Sequence, residues 1–476
     1  MRSELGDDYT DELRKVYVGR VPGGADLVTY WFEKARTAIE KSGLGAAGLV
    51  ATQSVRAGAN RKVLVRVAET TRIYEAWSDM PWVNDGAAVR VSLVCFGWGG
   101  NGVILDGARV PKITADLADG KTLDLTLARS LEANKGRCFV GSQKGGSFEI
   151  DGAVAREWLR QPSVNGRSNS EVLRPWANGQ CVTGRTSDQW IVDFGNDMSE
   201  NDASQFDAPF QHVALHVKPN RISLRRDGHR TYWWIHAEAR PGMRTAIGSL
   251  SRYIATPRVA KHRFFVFLDK HTLADSRLCA IASGDDLTFG ILSSRLHEAW
   301  SLANASMHGV GNDPTYNAKS CFETFPLPAG LTPADTAHQK TEAVAGGALI
   351  PADISTSSMR TAAEKIAKAA KHLNDLRENW LNPPEWTERI PEVTPLGMAT
   401  SPYPDRIIAK PGHEKDLAER TLTKLYNARP AWLDAAHKAL DEAVAAAYDW
   451  ADYTADMPDE EILKRLLALN LERSAA

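Results

Sequence analysis

The spacing of apolar residues changes twice along the chain and divides it into three regions. In the first, residues 1–110, two kinds of apolar run alternate. "DLVTYWFEKARTAIEKS" (26–42) repeats its apolar positions every three or four residues and stops at Gly43, which predicts a helix. "AAGLVATQSV" (46–55) is a short apolar run bounded by Gly58, which predicts a buried strand. "NRKVLVRVAETT" (60–71) keeps its charges on one side and predicts a second helix. "RIYEAWSD" (72–79) and "AAVRVSLVCFG" (87–97) predict strands, the latter closed by Gly97, Gly99 and Gly100. Strands alternating with helices predict an α/β layer with a partly parallel sheet.

Residues 111–330 are rich in Gly, Pro and Trp, and their apolar runs are short: "CFVGSQ", "FEI", "QWIVDFG", "HVALHV", "YWWIHA" and "HRFFVFLD". Long polar connections join these runs, which predicts a mixed, strand-rich region with irregular loops. Residues 329–352 are loop-like and predict a linker. Beyond it, residues 358–381, 414–450 and 459–474 are Ala- and Leu-rich with helical spacing. No internal repeat is present.

The chain has 476 residues, 43% hydrophobic and 24% charged, a globular composition. At roughly 150 residues per domain there is room for about two to four domains. No apolar run approaches the ~20 residues of a membrane helix, and "MRSELGDDYTDELRK" has no signal-peptide core, so a cytoplasmic location is expected. Five cysteines (Cys95, Cys138, Cys181, Cys279, Cys321) lie far apart with no C-x-x-C pair. They are expected to be buried free thiols, and no metal site is expected.

A net charge of −2 argues against a nucleic-acid partner, but its distribution changes the picture. Residues 211–270 hold 12 Lys/Arg against 3 Asp/Glu, while residues 331–476 hold 17 against 23. A basic block in a near-neutral chain fits a phosphate-contacting surface or a solvated face with no partner.

Seven stretches, taken together and in order, carry a resemblance. They are "GADLVTYWFEKAR" (24–36), "AGLVATQSVRAGANRKVL" (47–64), "AWSDMPWVNDGAAVRVSLVCF" (76–96), "GRSNSEVLRPWANG" (166–179), "RYIATPRVAKHRFFVFL" (252–268), "GNDPTYNAKSCFETFPLP" (311–328) and "LYNARPAWLDAAHKALDEAVAAAYDW" (425–450). This series resembles the DNA methyltransferases of the type IIL restriction–modification class, over nearly the whole length. No single stretch is diagnostic. The family joins a γ-class adenine-N6 methyltransferase, a target recognition domain and a helical tail. The resemblance therefore implies an α/β fold: the C-terminal part of a Rossmann-like methyltransferase sheet (1–110), a mixed α+β target recognition domain (111–330) and an all-α tail (331–476). It also implies methyl transfer from S-adenosylmethionine to a flipped adenine in the complete enzyme, with no metal needed for that step.

The chain also departs from the family. There, a glycine-rich turn binds S-adenosylmethionine and an Asn-Pro-Pro-aromatic loop holds the target amine, both upstream of the segment resembling "RSELGDDYTDELRKVY". This sequence begins at that segment. "GWGGNG" (97–102) follows the last predicted strand and opens no helix, so it reads as a turn. The chain alone is expected to be inactive and to bind no cofactor. Its expected partners are double-stranded DNA and an N-terminal methyltransferase half encoded upstream. The alternative is a non-catalytic DNA-binding specificity subunit or a truncated remnant. No nuclease signature stands out.

"LRENWLNPPEWTE" (376–388) contains Asn382-Pro383-Pro384 out of context. The catalytic loop lies at the end of a buried strand, with an aromatic directly after the second Pro to stack on the flipped base. Here an amphipathic helix precedes the motif, Glu385 follows it, and Trp386 comes one place late. Prolines past a helix end are stop signals, so Asn382 is expected to terminate a helix.

The resemblance places Asp26 beside the cofactor pocket, although a helix N-cap is the simpler role. Trp31 and Phe32 are expected in the core, and Gln53 and Ser54 at a strand end near the active site. Trp82 is the candidate for stacking on the flipped adenine, against the alternative of a core anchor. Asp79 and Asp85 read as turn residues. Lys218, Arg225, Arg226, Arg258 and Lys261 are the candidate DNA contacts, with phosphate positioning the expected role. "GSQKGGSF" (141–148) is either a loop that turns backbone N–H groups toward phosphate or a simple turn.

Overall fold

The computed structural model describes the chain except residues 57, 85–86, 101, 120–122, 163–165, 225, 309–312, 337–339 and 476. It is a mixed α/β structure with several small sheets and a helical tail. The chain forms two compact units, Met1–Leu127 with Ala305–Pro314, and Ala128–Asn304 with Thr315–Ala476.

In the first unit, helix α1 (Val28–Lys41), strand β1 (Ala46–Thr52), helix α2 (Gly58–Thr70) and strands β2 (Arg72–Asn84) and β3 (Ala87–Gly97) follow the predicted order. Two short strands, β4 (Ile104–Leu105) and β5 (Ala108–Arg109), complete a sheet of order β1-β3-β2-β4-β5. Among the described residues of this sheet, parallel pairing is confined to β2–β4, because β3 runs antiparallel to both β1 and β2. The connection from β2 to β3 is too short for the crossover that a parallel neighbour requires. Phe32 of α1 stacks on Phe96 of β3 with centroids 6.0 Å apart, over a core that includes Val63, Leu64, Val67, Ile73 and Val94.

Trp31 departs from the expected core role. It is 58% exposed and lies beneath Lys34. Successive helix residues point about 100° apart, so Phe32 turns inward and Trp31 outward. Glu33 and Arg36 are both buried on α1 and meet in two hydrogen bonds of 2.8 and 2.9 Å. Burial raises the Glu33 pKa, but Arg36 outweighs that and holds it below the usual range.

The second unit contains two four-stranded sheets. One has the order β11-β10-β13-β6, from β6 (Cys138–Val140), β10 (Arg252–Pro257), β11 (Val266–Asp269) and β13 (Leu278–Ile281). The other has the order β12-β8-β9-β7, from β7 (Glu149–Asp151), β8 (Leu173–Ala177), β9 (Gln189–Val192) and β12 (Leu273–Ala274). "HVALHV" is not a strand. It lies in helix α3 (Asp207–His216) and its C-cap, where Val213 and Val217 are buried and Leu215 is 71% exposed. Alternation had mimicked a strand, but the buried positions recur every four residues.

Helix α7 (Asp286–Ser293) is buried through seven of its residues and packs against helix α9 (Ser357–Leu381) and helix α10 (Ala431–Ala447). The approach is close: a Cβ on Gly290 would lie 2.8 Å from side-chain atoms of Ala370 and Ile366. Within the stretch expected to be a linker, Thr341–Ala343 pairs with Leu349–Pro351, and the Leu349 N–H donates to Asp286 at 2.7 Å. Cys138, Cys279 and Cys321 are buried free thiols, while Cys95 and Cys181 are half-buried. Among the described residues, no helix is long and apolar enough to cross a membrane, and no group of three or more His, Cys, Asp or Glu could hold a metal.

Candidate strand-end site and nucleic-acid interface

Both β1 and β2 run antiparallel to β3, so their carboxyl ends lie at the same end of the sheet. Thr52, at the end of β1, pairs with Val91, which pairs with Met80 of β2. Trp82, opposite Val89, therefore projects about 7 Å beyond the end of β1. Its ring is 42% exposed, which removes the core-anchor role.

At this same sheet end a polar cluster joins β1 to the starts of both helices. The Asp26 N–H donates to Asn60 Oδ1 at 2.7 Å, and Asn60 Nδ2 donates back to Asp26 Oδ2 at 2.7 Å. Ser54 Oγ lies 3.4 Å from Asp26 Oδ2 and 2.8 Å from Thr52 Oγ1. Asp26 is not the N-cap of α1; that position is Leu27, and the Asp26 carboxylate faces Asn60 of α2 instead. Asn60 is the residue that sequence reasoning missed, and its place in the first turn of α2 was the available signal. Gln53 opens a 3-10 turn after β1. Asp79 is a strand residue at a bulge, paired with Arg90 at 2.6 Å, rather than a turn residue. Asp85 lies outside the described residues.

The basic block of the second unit divides by environment. Lys218 is half exposed, sits 4.4 Å over the Trp233 ring and is 3.8 Å from Glu200. Arg226 is exposed and 3.3 Å from Glu238. Arg225 lies outside the described residues. Arg258 is half-buried and donates to the Ser276 carbonyl at 3.1 Å. Lys261 is exposed and donates to Asn427 Oδ1 at 2.7 Å.

Other members of the block are spent on structure. Arg244 grips the buried Asp193 with two hydrogen bonds of 2.7 and 2.8 Å, and Arg174 adds a third at 2.9 Å. Burial opposes ionisation of Asp193, but Arg244 leads the groups that hold it far below the usual carboxylate range. His236, 3.9 Å from Asp193, is pushed down to about 4 by burial. Arg252 pairs with Asp286 at 3.1 Å.

In one of the two loops singled out in the sequence, Ser142 and Gln143 make isolated β-bridges to Asp275 and Glu238. The N–H groups of Gly141, Ser142 and Gln143 are donated to the carbonyls of Leu278, Ala274 and Glu238, which leaves none of the three for phosphate. Gly97 brings the chain so close to β1 that a Cβ would sit 2.4 Å from the Gly45 carbonyl oxygen. Asn382 is the C-cap of α9. Its N–H donates to the Glu378 carbonyl, and Trp386 is stacked against His413.

No protein-family model and no curated protein sequence matches the chain. Among solved structures, the chain is similar to the type IIL restriction–modification enzyme MmeI in complex with DNA. The TM-score is 0.64 at 18% identity, over 98% of this chain and 55% of that one. The chain thus spans about half the length of that enzyme, and at this identity the likeness is one of fold.

Proposed function

We propose that the chain is the C-terminal portion of a site-specific adenine-N6 DNA methyltransferase of the restriction–modification type. Residues 1–110 supply the end of the catalytic sheet, residues 111–330 the target recognition domain and residues 331–476 a helical tail. The observation that carries this reading is the fold likeness over 98% of the chain to a restriction–modification enzyme solved with DNA. Two features support it. In open α/β sheets, ligands bind outside the carboxyl ends of the strands, and Asp26, Asn60, Ser54 and Trp82 gather at that end. β1 is also an edge strand, so its outer edge is open to a further strand from a methyltransferase half.

S-adenosylmethionine, when bound, supplies the methyl group. Asp26, held by Asn60 and Ser54, would hold one edge of it. Trp82 would carry the flipped adenine on its face, a contact of about 1–3 kcal/mol. Lys218, Arg225, Arg226, Arg258 and Lys261 would position phosphates. The fit to the cofactor is partial, because the glycine stretch at 97–102 begins with a close approach to β1 and does not open a helix.

The test is to co-express the chain with the N-terminal half of a close relative and to assay methyl incorporation into DNA. Methylation that requires both halves is the expected result. Sequence-specific DNA binding with no methylation by any such pair would favour the non-catalytic specificity subunit instead.

A further inference from the structure

Residues 196–199, Arg221, Arg226, Gly228, His229, Tyr232 and residues 234–241 of the second unit line an open cleft of about 1310 Å³, its mouth included. Arg221, in its wall, is only 1% exposed. The loop 144–145 fixes it: Nε donates to the Gly145 carbonyl at 2.9 Å and Nη2 to the Lys144 carbonyl at 2.6 Å. Its Nη1 has no hydrogen-bond partner among the described residues. Burial pushes the pKa of this guanidinium down, and it lies 5.7 Å over the Phe148 ring. Buried charges in proteins are paired, and one that is not invites an anion.

The surroundings suit such an anion. His229 Nε2 is likewise buried with no hydrogen-bond partner among the described residues; burial, followed by the Arg226 and Arg221 charges and opposed by the Ala237 backbone, keeps the ring neutral at lower pH than usual. Arg226 and Arg240 stand on the wall, 3.3 and 3.9 Å from Glu238. Arg240 is held at φ 59°, a left-handed conformation that a residue with a Cβ rarely adopts and that clusters at functional sites. With Asp197, the cleft holds three arginines against two carboxylates. Tyr232, 57% exposed, and Trp234, fixed by its Nε1 donating to the Met198 carbonyl at 2.8 Å, give it an aromatic side.

We infer that this cleft binds a single nucleotide, with its phosphate on Arg221 Nη1, Arg226 and Arg240 and its base against Tyr232. Aromatic faces stack on bases without regard to sequence, and forked guanidiniums match phosphate oxygens. The inference goes beyond the exposed phosphate contacts of the DNA-binding reading and holds whether or not the chain takes part in methyl transfer.

Calorimetric titration of the full chain with thymidine 5′-monophosphate, thymidine and inorganic phosphate tests it. The monophosphate is expected to bind with one-to-one stoichiometry, about tenfold or more tighter than either fragment. Tyr232→Ala, at an exposed ring, is expected to weaken it by about tenfold while leaving the thermal melt unchanged. Arg221→Gln should abolish it; because Arg221 also anchors a loop, the Tyr232 variant keeps the test valid if that protein does not fold. An oligothymidylate that displaces the monophosphate at lower concentration identifies a DNA strand as the source, and equal potency identifies free nucleotide. No saturable binding at millimolar monophosphate, or binding indifferent to Tyr232→Ala, overturns the inference. A duplex gel shift run alongside separates the two readings. Duplex binding without monophosphate binding removes this site alone, and the reverse removes only the DNA-binding reading.

Discussion

Trp82 leaves 42% of its surface in water, across the ribbon from an equally exposed Val89. An indole there adds little to the fold, so its removal separates function from stability. In the enzyme completed by an N-terminal half, Trp82→Ala is expected to slow methyl transfer by roughly 5- to 150-fold, the kinetic equivalent of about 1–3 kcal/mol of lost stacking. Duplex affinity should stay within about twofold, since phosphate contacts dominate it. Asn382→Ala is the matched contrast. It removes the Nδ2 bond to Glu378 at the end of α9, which is expected to cost about 1 kcal/mol in urea denaturation and to leave methylation intact. Near-complete loss of methylation by a folded, DNA-binding Asn382→Ala protein would move the active site into the helical tail.

Helix α8 (Arg295–Ala303) is capped from another helix. The Arg295 N–H donates to Asp441 Oδ1 of α10 at 2.7 Å, while Ser294, the nominal cap, turns its hydroxyl to the Ile291 carbonyl. Burial pushes the Asp441 carboxyl up to about 7, with the nearby Glu298 adding to the effect and the Arg295 amide opposing it. An acid whose folded pKa is raised contributes stability that is full below its unfolded pKa and is lost as pH rises through the folded value. Asp441→Asn keeps an acceptor for the Arg295 amide but cannot ionise. Its advantage in urea midpoint over the parent should therefore grow between about pH 4 and 7 and level off above that. His297 and His437, each pushed down to about 3 by burial, lose stability on acidification in both proteins and cancel in the comparison. An advantage independent of pH would mean that Asp441 is ionised throughout. None of this cap was readable beforehand, because its partners lie 146 positions apart. The elements themselves were more legible. α1, β1, α2, β2 and β3 follow from periodicity, as does the stop at Asn382. Where periodicity is ambiguous, as in "HVALHV", tertiary packing decided, and the antiparallel setting of β3 depended on a short connection rather than on side chains.

Over the whole molecule, the basic block was legible as a count and not as a surface. Its 12 Lys/Arg include Arg244 and Arg252 in ion pairs with Asp193 and Asp286, and Arg221 and Arg263 buried. Three exposed members, Lys218, Arg226 and Arg230, each face a carboxylate, Glu200, Glu238 and Asp227. Exposed pairs of this kind are worth about 0–1 kcal/mol, so a DNA phosphate can replace the carboxylate at little cost. The two classes of basic residue therefore predict opposite phenotypes. Alanine at Lys218, Arg226 or Lys261 should leave the fold intact and weaken binding to all duplex sequences alike. Each should also flatten the slope of log K against log salt by about 0.9. Alanine at Arg244 strips the main partner from a carboxylate that is 2% exposed, at a cost of about 3–5 kcal/mol, and should lower the melting temperature first. Filter binding from about 50 to 200 mM salt, with a thermal melt of each variant, checks both. Affinity indifferent to salt over that range would mean that the exposed cations hold their own carboxylates and not DNA, because displaced counterions are what make phosphate contacts salt-dependent.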